Sequence, residues 1–283
     1  GSIPYDQHLY LSTPSTSDVT VKITILSTGQ EITYTDLRND NPKVYQLTAD
    51  NPNQEQALNG VLFVDKDGTG SNRLSSGLVI DADCPVYASI RYNAGAQAGA
   101  LVSKGDASLG THFRTGMMTN GNQSDENEFQ NSTNSHNLNF ISVMATQDNT
   151  TVRIDLPNAS PNLQIANYNY NGNPIVQTLN RNESMIIAAD ARQPNNSGEN
   201  RFALIGALVR SIDDSGTVIV EDPTKPIVVN VGSASGTFMS TEGGHDHGVD
   251  QIVGLDRVGH EYIFVKGNGA GGDLETPLII GAV

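Results

Sequence analysis

The feature that most constrains the fold is an ordered series of strand-like segments that occurs twice along the chain. The matched pairs are residues 9–23 with 140–154, residues 77–88 with 216–229, and residues 109–116 with 258–267. Residues 277–281 resemble the start of the 140–154 segment once more. Because the segments follow the same order in both copies, the sequence predicts a duplicated structural unit.

The local pattern of each copy is typical of β-structure. Residues 19–25 alternate apolar and polar positions, as a half-buried strand does, whereas residues 78–80 and 227–229 are apolar on both faces. No window longer than ten residues carries an apolar stripe of helical period. About seven short strands per unit exceed the four of a propeller blade and match a β-sandwich. The sequence therefore predicts an all-β protein made of two tandem β-sandwich-like units.

The repeat also predicts the domain boundaries. We expect a first unit at residues 1–108, a second at residues 109–240, and a linker with a C-terminal strand pair at residues 241–283. Those last strands either return to the first unit or open a third one. A return would cover a sheet edge that is otherwise free to aggregate.

Charge and composition exclude several classes of protein. Sixteen Lys and Arg stand against 31 Asp and Glu, a net charge of −15, which repels nucleic acids and anionic membrane surfaces. No apolar run reaches the roughly 18 residues needed to span a bilayer. The single cysteine, Cys84, excludes an internal disulfide and a multi-cysteine zinc site, and its apolar neighbours predict a buried thiol.

A recurring motif links the chain to a known family. Residues 86–108 combine a strand, a glycine-containing turn and a short apolar segment, and they precede Leu109-Gly-Thr-His-Phe113. Residues 248–257 likewise precede Val258-Gly-His-Glu-Tyr262. This pattern resembles the N-terminal domain of IgG-Fc-binding proteins, and also large secreted surface proteins of Bacteroidetes of the gliding or adhesion type exported by the type IX system. The resemblance implies an extracellular binding domain, but no motif residue carries Fc binding itself.

One candidate metal site lies in an acidic turn. Asp65 and Asp67, followed by glycine and Thr69, resemble the opening of a calcium-binding loop, in which alternating carboxylates converge on the ion. The bidentate glutamate expected at the twelfth position is replaced by Ser76. The alternative is a hairpin turn built on Asp67 and Gly68.

A second candidate site combines histidines and carboxylates. His245 and His247 alternate and are accompanied by Asp246 and Asp250, a donor set that suits a metal ion or a polar ligand. The corresponding stretch of the first copy, residues 95–102, contains no histidine. The alternative is therefore a loop whose histidines are simply solvated.

Two tyrosines form a third candidate. Tyr168 and Tyr170 alternate in an Asn-rich segment, so an extended backbone places both rings on one face. Such a pair can stack against a sugar ring. The alternative is ordinary packing at a strand edge.

Taken with the resemblance, these features predict a non-catalytic binding or adhesion module of a secreted bacterial surface protein. It would recognise a glycan or a protein through its loops, with calcium as the only expected cofactor and with neighbouring domains in a longer parent chain. One alternative is a carbohydrate-active or metal-dependent hydrolase that uses the His245–Asp250 region, although no nucleophile-elbow motif supports acyl-transfer chemistry. Another is a structural spacer within a large adhesin.

Overall fold

The computed structural model describes residues 6–47, 62, 69–70, 72–94, 97–118, 138–160, 163–190, 202–213, 220–236, 246–263 and 280–281. Within these residues the regular structure consists of β-strands and two short 3₁₀ helices, apart from one isolated helical residue at Phe202. The predicted all-β class is confirmed.

The described part of the first unit contains seven strands. They are β1 (Asp6–Ser12), β2 (Val19–Ile25), β3 (Gln30–Leu37), β4 (Lys43–Gln46), β5 (Leu78–Ala82), β6 (Tyr87–Ala94) and β7 (Gln97–Val102). One antiparallel sheet, which we call sheet A, has the order β4-β1-β6-β7, and the other, sheet B, has the order β3-β2-β5. The 3₁₀ helix η1 (Gly105–Ser108) follows β7.

The second unit follows the same plan. Its strands are β8 (His112–Arg114), β9 (Leu138–Ala145), β10 (Thr150–Asp155), β11 (Ile175–Leu179), β12 (Ser184–Asp190), β13 (Leu208–Asp213), β14 (Val220–Glu221), β15 (Ile227–Gly236) and β16 (Asp246–Ile252). Sheet C has the order β12-β9-β15-β16, and sheet D has the order β11-β10-β13-β14 with β8 also paired to β13. The 3₁₀ helix η2 (Leu255–Arg257) follows β16 as η1 follows β7.

The two units therefore share one strand order. The order β4-β1-β6-β7 of sheet A corresponds position by position to the order β12-β9-β15-β16 of sheet C, so that β1 corresponds to β9 and β7 corresponds to β16. In sheets B and D, β3-β2-β5 corresponds to β11-β10-β13. The correspondence agrees with the sequence repeat at β6 and β15, but β5 corresponds to β13 (Leu208–Asp213) and not to the start of residues 216–229, with which the repeat matched it.

Each pair of sheets encloses its own apolar core. Leu9 and Leu11 of sheet A meet Val21 and Ile23 of sheet B, all fully buried. In the second unit, Ile141 and Val143 of sheet C share a larger core with residues of sheet D such as Ile154. Alternating burial along β2 and β9 matches the period of two expected for strands with one face in a core.

One strand joins the units. The chain leaves the first unit through η1 and then forms β8, which pairs with β13 through the partners Phe113 and Val209. Phe113 is fully buried in the core of the second unit. The link between the units is thus a structural part of the second unit rather than a free linker.

Further contacts tie the two units together side by side. The backbone of Leu74 exchanges two hydrogen bonds of 2.8 Å with Ser184, and Gly70 donates to the carbonyl of Ile186, so a segment of the first unit lies along strand β12. At the other edge, the backbone N–H of Lys104 donates to Gln251 Oε1 at 2.6 Å, and Lys104 Nζ lies 3.0 Å from Asp250.

The end of the described chain differs from the expected linker and strand pair. Asp246–Ile252 forms β16, paired with β15, so the second unit extends past the predicted boundary at residue 240. Residues 259–263 are exposed and belong to no strand, and most of the predicted strand at 278–282 lies outside the described residues. Whether the C-terminal strands close the first unit stays a prediction.

Cys84 does not have the buried position expected of it. The thiol is exposed, because residues 83–86 form the connection between β5 and β6 rather than one continuous apolar strand. Asp83 accepts a hydrogen bond from the backbone of Thr20 at 3.0 Å and fixes this connection at the surface.

A carboxylate holds two opposed arginines on sheet D. Arg153 and Arg210 are direct cross-strand partners, an arrangement that repels when the charges are left unpaired. Asp155 accepts from Arg153 Nη2 at 2.7 Å and from Arg210 Nη2 at 2.9 Å. Partial burial opposes ionisation of Asp155, but the hydrogen bonds from Arg153 and Arg210 outweigh it and lower its pKa below 3.8.

This network predicts a pH-dependent contribution to stability. A carboxyl with a lowered pKa in the folded state stabilises the protein above its unfolded pKa, and the contribution disappears as the pH falls through the folded value. We expect Asp155→Asn to lower the free energy of unfolding by about 1–2 kcal/mol at pH 7, with less effect below pH 3.8. Urea unfolding at several pH values tests this, with the exposed Asp256→Asn as the control. An equal loss at pH 7 and pH 2.5 would contradict the assignment.

A candidate binding cavity between the two units

Of the three residues predicted to bind calcium, only Thr69 lies among the described residues. Asp65 and Asp67 lie outside the described residues. Thr69 is buried, and its hydroxyl lies 3.4 Å from the backbone carbonyl of Ala166 in the second unit. The described end of this segment therefore packs between the units, and calcium binding stays a prediction.

The predicted histidine site falls on a strand rather than on a loop. His245 and the side chain of Asp246 lie outside the described residues. His247 makes an edge-to-face contact with Tyr92 of the first unit, with ring centroids 5.7 Å apart. Asp250 is exposed and paired with Lys104. Pairing of β16 with β15 sends these side chains to opposite sides of the sheet edge, so His247 and Asp250 serve contacts between the units.

The predicted tyrosine pair does not form an exposed platform. Tyr170 is buried in the core of the second unit, and burial raises the pKa of its phenol. Tyr168 is half-buried and packs against the same cluster. Because the ring of Tyr170 is buried, the two tyrosines do not together form the exposed stacking surface that the sequence predicted.

The structure instead presents a cavity of about 630 Å³ between the two units. Its volume lies in the range typical of small-ligand sites. The first unit contributes residues of β5, β6 and β7, among them Ile80, Ile90 and Tyr92. The second unit contributes the outer face of sheet C. Neither unit alone forms this cavity.

Strand register defines the floor of the cavity. Ile186 pairs with Ser142, Ser142 with Asn230, and Asn230 with Gln251, so these four side chains form one row across the outer face of sheet C. The next row begins with Ala188 and Phe140. All of these residues line the cavity. The floor thus combines apolar side chains with a central polar strip formed by Ser142, Asn230 and Gln251.

Asn230 is the most informative member of this strip. Its Oδ1 atom is buried, and no described residue donates a hydrogen bond to it. A buried acceptor without a donor costs about 1–3 kcal/mol. Because Asn230 borders the cavity, a ligand that supplies a hydroxyl or an amide N–H would satisfy this acceptor.

The electrostatics of the cavity favour an uncharged ligand. Among its described lining residues, the carboxylates and the guanidinium belong to Asp81, Asp106 and Arg181, which are all exposed and lie at the rim. The floor is neutral, with the aromatic rings of Tyr92 and Phe140 beside the polar strip. In the described part of the chain, no three His, Cys, Asp or Glu side chains converge on a point that could hold a metal ion. The arrangement is suited to binding.

Sequence reasoning missed this floor, although a signal was present. Asn230 interrupts the apolar run 227–231, and Ser142 interrupts the apolar run 140–144. In each run the polar residue marks the face that leaves the core, because successive strand residues alternate between faces. The sequence does not show that the first unit packs over this face and so turns it into the floor of a cavity.

The fold identifies the class of protein, an all-β chain of two repeated units with a cavity between them. Comparison with known protein families identifies the family. The family model described as IgGFc binding protein matches residues 98–282, which is well over half of the chain. The chain therefore belongs to this family, and the resemblance to IgG-Fc-binding proteins inferred from the repeated motif is confirmed. No curated protein and no solved structure matches the chain significantly.

Membership of this family supplies a broad functional class. Its domains are binding domains, typically extracellular or secreted. Among the described residues, no helix is long and apolar enough to cross a membrane. The matched stretch begins inside β7 and includes the whole second unit, together with the floor of the cavity.

Proposed function

We propose that the chain is a non-catalytic extracellular recognition module that binds a glycan in the cavity between its two units. Adhesion of a bacterial cell surface to glycan-bearing partners would be the biological use of such a module. The observation that carries the proposal is the neutral floor with an unsatisfied Asn230 at its centre.

The chemistry of the floor supports a sugar over other ligands. A sugar presents hydroxyl donors on its edges and apolar C–H groups on its faces. Ser142, Asn230 and Gln251 offer polar partners for the hydroxyls, and the rings of Tyr92 and Phe140 offer apolar contact. The carboxylates at the rim disfavour an anionic sugar because like charges repel there.

A protein ligand is the competing candidate, because the family is described by its binding of the Fc part of IgG. A protein would meet the cavity through a side chain or a loop rather than through a free sugar. Purified IgG Fc with and without its glycan separates these two cases. Calcium binding is predicted from Asp65 and Asp67, and unfolding of the chain with added calcium and with a chelator tests that prediction.

The decisive experiment compares binding with stability. The full chain is screened against an array of defined neutral and acidic glycans, and the dissociation constant of each hit is measured by calorimetry. We expect Asn230→Leu to weaken binding of a neutral glycan at least about tenfold while leaving the unfolding midpoint unchanged or raised. The control is Asn173→Leu, which alters an exposed asparagine far from the polar strip.

If Asn230 binds the ligand, Asn230→Leu weakens binding without lowering the unfolding midpoint. If Asn230 is structural, the substitution lowers the midpoint. A fall in the unfolding midpoint of Asn230→Leu would indicate a structural role and contradict the proposal. Glycan binding that survives Asn230→Leu would place the site elsewhere on the molecule. Binding to neither glycan nor Fc would favour the spacer function.

A further inference from the structure

The polar strip on the cavity floor has a defined arrangement of hydrogen-bond donors and acceptors. Gln251 Oε1 accepts from the backbone N–H of Lys104 at 2.6 Å and from the hydroxyl of Ser103 at 3.3 Å. These two bonds fix the orientation of the Gln251 amide, because only its oxygen can accept. The NH₂ group of Gln251 therefore stays available as a donor at the cavity wall, and no described residue accepts from it.

Asn230 lies directly beside Gln251 on the neighbouring strand, because the register of β15 and β16 pairs the two residues. Its buried Oδ1 lacks a donor, and no described residue forms a hydrogen bond with its NH₂ group. Cross-strand partners of this kind have Cβ atoms about 5 Å apart. The floor thus presents an unsatisfied acceptor and two NH₂ groups within reach of one small polar group of a ligand.

Donors outnumber acceptors at this point of the floor. Asn230 and Gln251 each carry an NH₂ group with two N–H donors, whereas Asn230 Oδ1 is the free acceptor of the pair, and the hydroxyl of Ser142 can act either way. A matching ligand group must therefore supply a strong acceptor together with a donor. The rim carboxylates of Asp81 and Asp106 oppose a carboxylate in that role. A secondary amide meets the requirement without charge, because it has a carbonyl oxygen on one side and an N–H on the other.

Apolar side chains border the polar strip on both sides. Along β15, Val228 and Gly232 lie before and after Asn230 on the same face of the strand, and Val228 pairs with Met144. Gly232 pairs with Phe140, whose ring lies so close that a Cβ at Gly232 would be 2.7 Å from it. Met144, Val228 and Phe140 all line the cavity. A small apolar group next to the ligand's amide would therefore be removed from water against these side chains.

We propose that the glycan bound in the cavity is a neutral N-acetylated amino sugar, with its acetamido group at Asn230 and Gln251 and the acetyl methyl against the apolar border. The inference rests on the proposed function, since it names the class of glycan. An acetamido group combines a carbonyl, an N–H and a methyl on one substituent, which is the set of groups that this part of the floor matches. The hydroxyl of a plain hexose lacks the methyl and accepts hydrogen bonds less strongly.

Matched sugars test the proposal on the unaltered full chain. N,N′-diacetylchitobiose and cellobiose differ only in carrying acetamido groups or hydroxyls next to the anomeric carbons, and N-acetylgalactosamine and galactose differ in the same way. By calorimetry we expect the acetylated member of at least one pair to bind at least about tenfold more tightly. Glycans without an acetamido group that bind equally well or better would overturn this inference but leave glycan binding in place. Binding of no glycan would overturn both.

A peptide is the other source of a secondary amide. Alanine blocked by an acetyl group and an N-methylamide presents the same groups without a sugar ring. We expect this probe to bind at least about tenfold more weakly than the best acetylated sugar, because it lacks the ring hydroxyls that the rest of the polar strip can bond. Equal binding of the blocked peptide would overturn the assignment to a sugar and favour a segment of a protein ligand.

Gln251→Glu tests the donor assigned to Gln251. The carboxylate keeps an acceptor for Lys104 and Ser103 but replaces the NH₂ group by a second acceptor. We expect the acetylated sugar to bind at least about tenfold more weakly, with a smaller loss for its hydroxyl partner, because hydroxyls can donate to a carboxylate. The control, Gln177→Glu, adds the same charge on β11 of sheet D and should leave both affinities unchanged. Unchanged affinity of Gln251→Glu for the acetylated sugar would contradict the proposal, and the comparison of matched sugars decides the case if this variant does not fold.

Discussion

Replacing Phe113 with alanine is expected to lower the free energy of unfolding by about 3–5 kcal/mol, the usual cost of emptying a phenylalanine site in a core. Phe113 is fully buried although it lies on the strand that leaves the first unit. Its ring packs among the residues of the second core, and Gly110 lies close enough that a Cβ there would be 3.0 Å from the ring. The loss should appear in urea unfolding followed by circular dichroism.

The repeat provides a matched control for this substitution. Tyr262 is the equivalent residue after the second unit and is 64% exposed. Tyr262→Ala should change stability by less than about 0.5 kcal/mol. Equal effects of the two substitutions would mean that β8 is not a working part of the second core.

Gly70→Ala is expected to have the second largest effect, about 2–4 kcal/mol, because two costs add. Gly70 has a φ of +86°, which an L-residue adopts at a cost of about 1–2 kcal/mol. A Cβ at this position would also lie 2.4 Å from the backbone oxygen of Asn167 in the second unit. Relief of this clash requires separation of the units and loss of the hydrogen bond from Gly70 to Ile186.

Gly172→Ala separates the two costs. Gly172 has nearly the same φ, +85°, but a Cβ there meets no atom within 4 Å. Its loss of stability should be limited to the conformational cost, about 1–2 kcal/mol. Calorimetric unfolding of both variants measures the difference. If Gly70→Ala costs no more than Gly172→Ala, the close contact between the units is not maintained in solution.

Gly70→Ala also tests whether ligand binding depends on the packing of the two units. The cavity exists only while both units hold their relative positions, because its lining comes from β5, β6 and β7 on one side and from sheet C on the other. Gly70→Ala should therefore weaken ligand binding together with stability, whereas Asn230→Leu should weaken binding alone. These two patterns distinguish loss of the site's architecture from loss of its chemistry.

Much of the fold could be predicted from the sequence because the repeat and the strand periodicity are local signals. The alternation in residues 19–25 and the apolar run 227–231 each correspond to a strand in the structure, and both lie in cores. The family resemblance depended on residues that maintain structure, such as Gly110, where the chain passes close to Gly254. Residues of this kind identify a fold without identifying a ligand.

Strands β13 and β16 were not predicted from the sequence, because both carry polar residues whose partners lie elsewhere in the folded chain. β13 contains Arg210, whose charge is held by Asp155 of the neighbouring strand. β16 contains His247, Gly248 and Asp250, which are typical of a loop when read alone. These strands are stabilised by partners distant in sequence, so they lack the alternation of apolar residues by which a strand is predicted.

The binding cavity could not be predicted for a related reason. Its polar floor is visible in the sequence as isolated breaks at Ser142 and Asn230, but those breaks equally suit a solvated sheet face. The roof comes from strands β5, β6 and β7, which lie at least 40 positions before Ser142 and at least 128 positions before Asn230 in the chain. Tyr170 shows the converse case, since a segment rich in asparagine sends its tyrosine into the core.

Hydrogen exchange of the native full chain, resolved to single amides, tests most directly whether the connecting strand β8 belongs to the second unit. We predict that the amides of His112–Arg114 exchange at the rate of β13, and that Phe113→Ala accelerates exchange in β8, β10 and β13 while strands β1 and β2 of the first unit keep their protection. Exchange of β8 at the rate of an exposed linker, or in step with the first unit, would contradict the structural basis of the whole account.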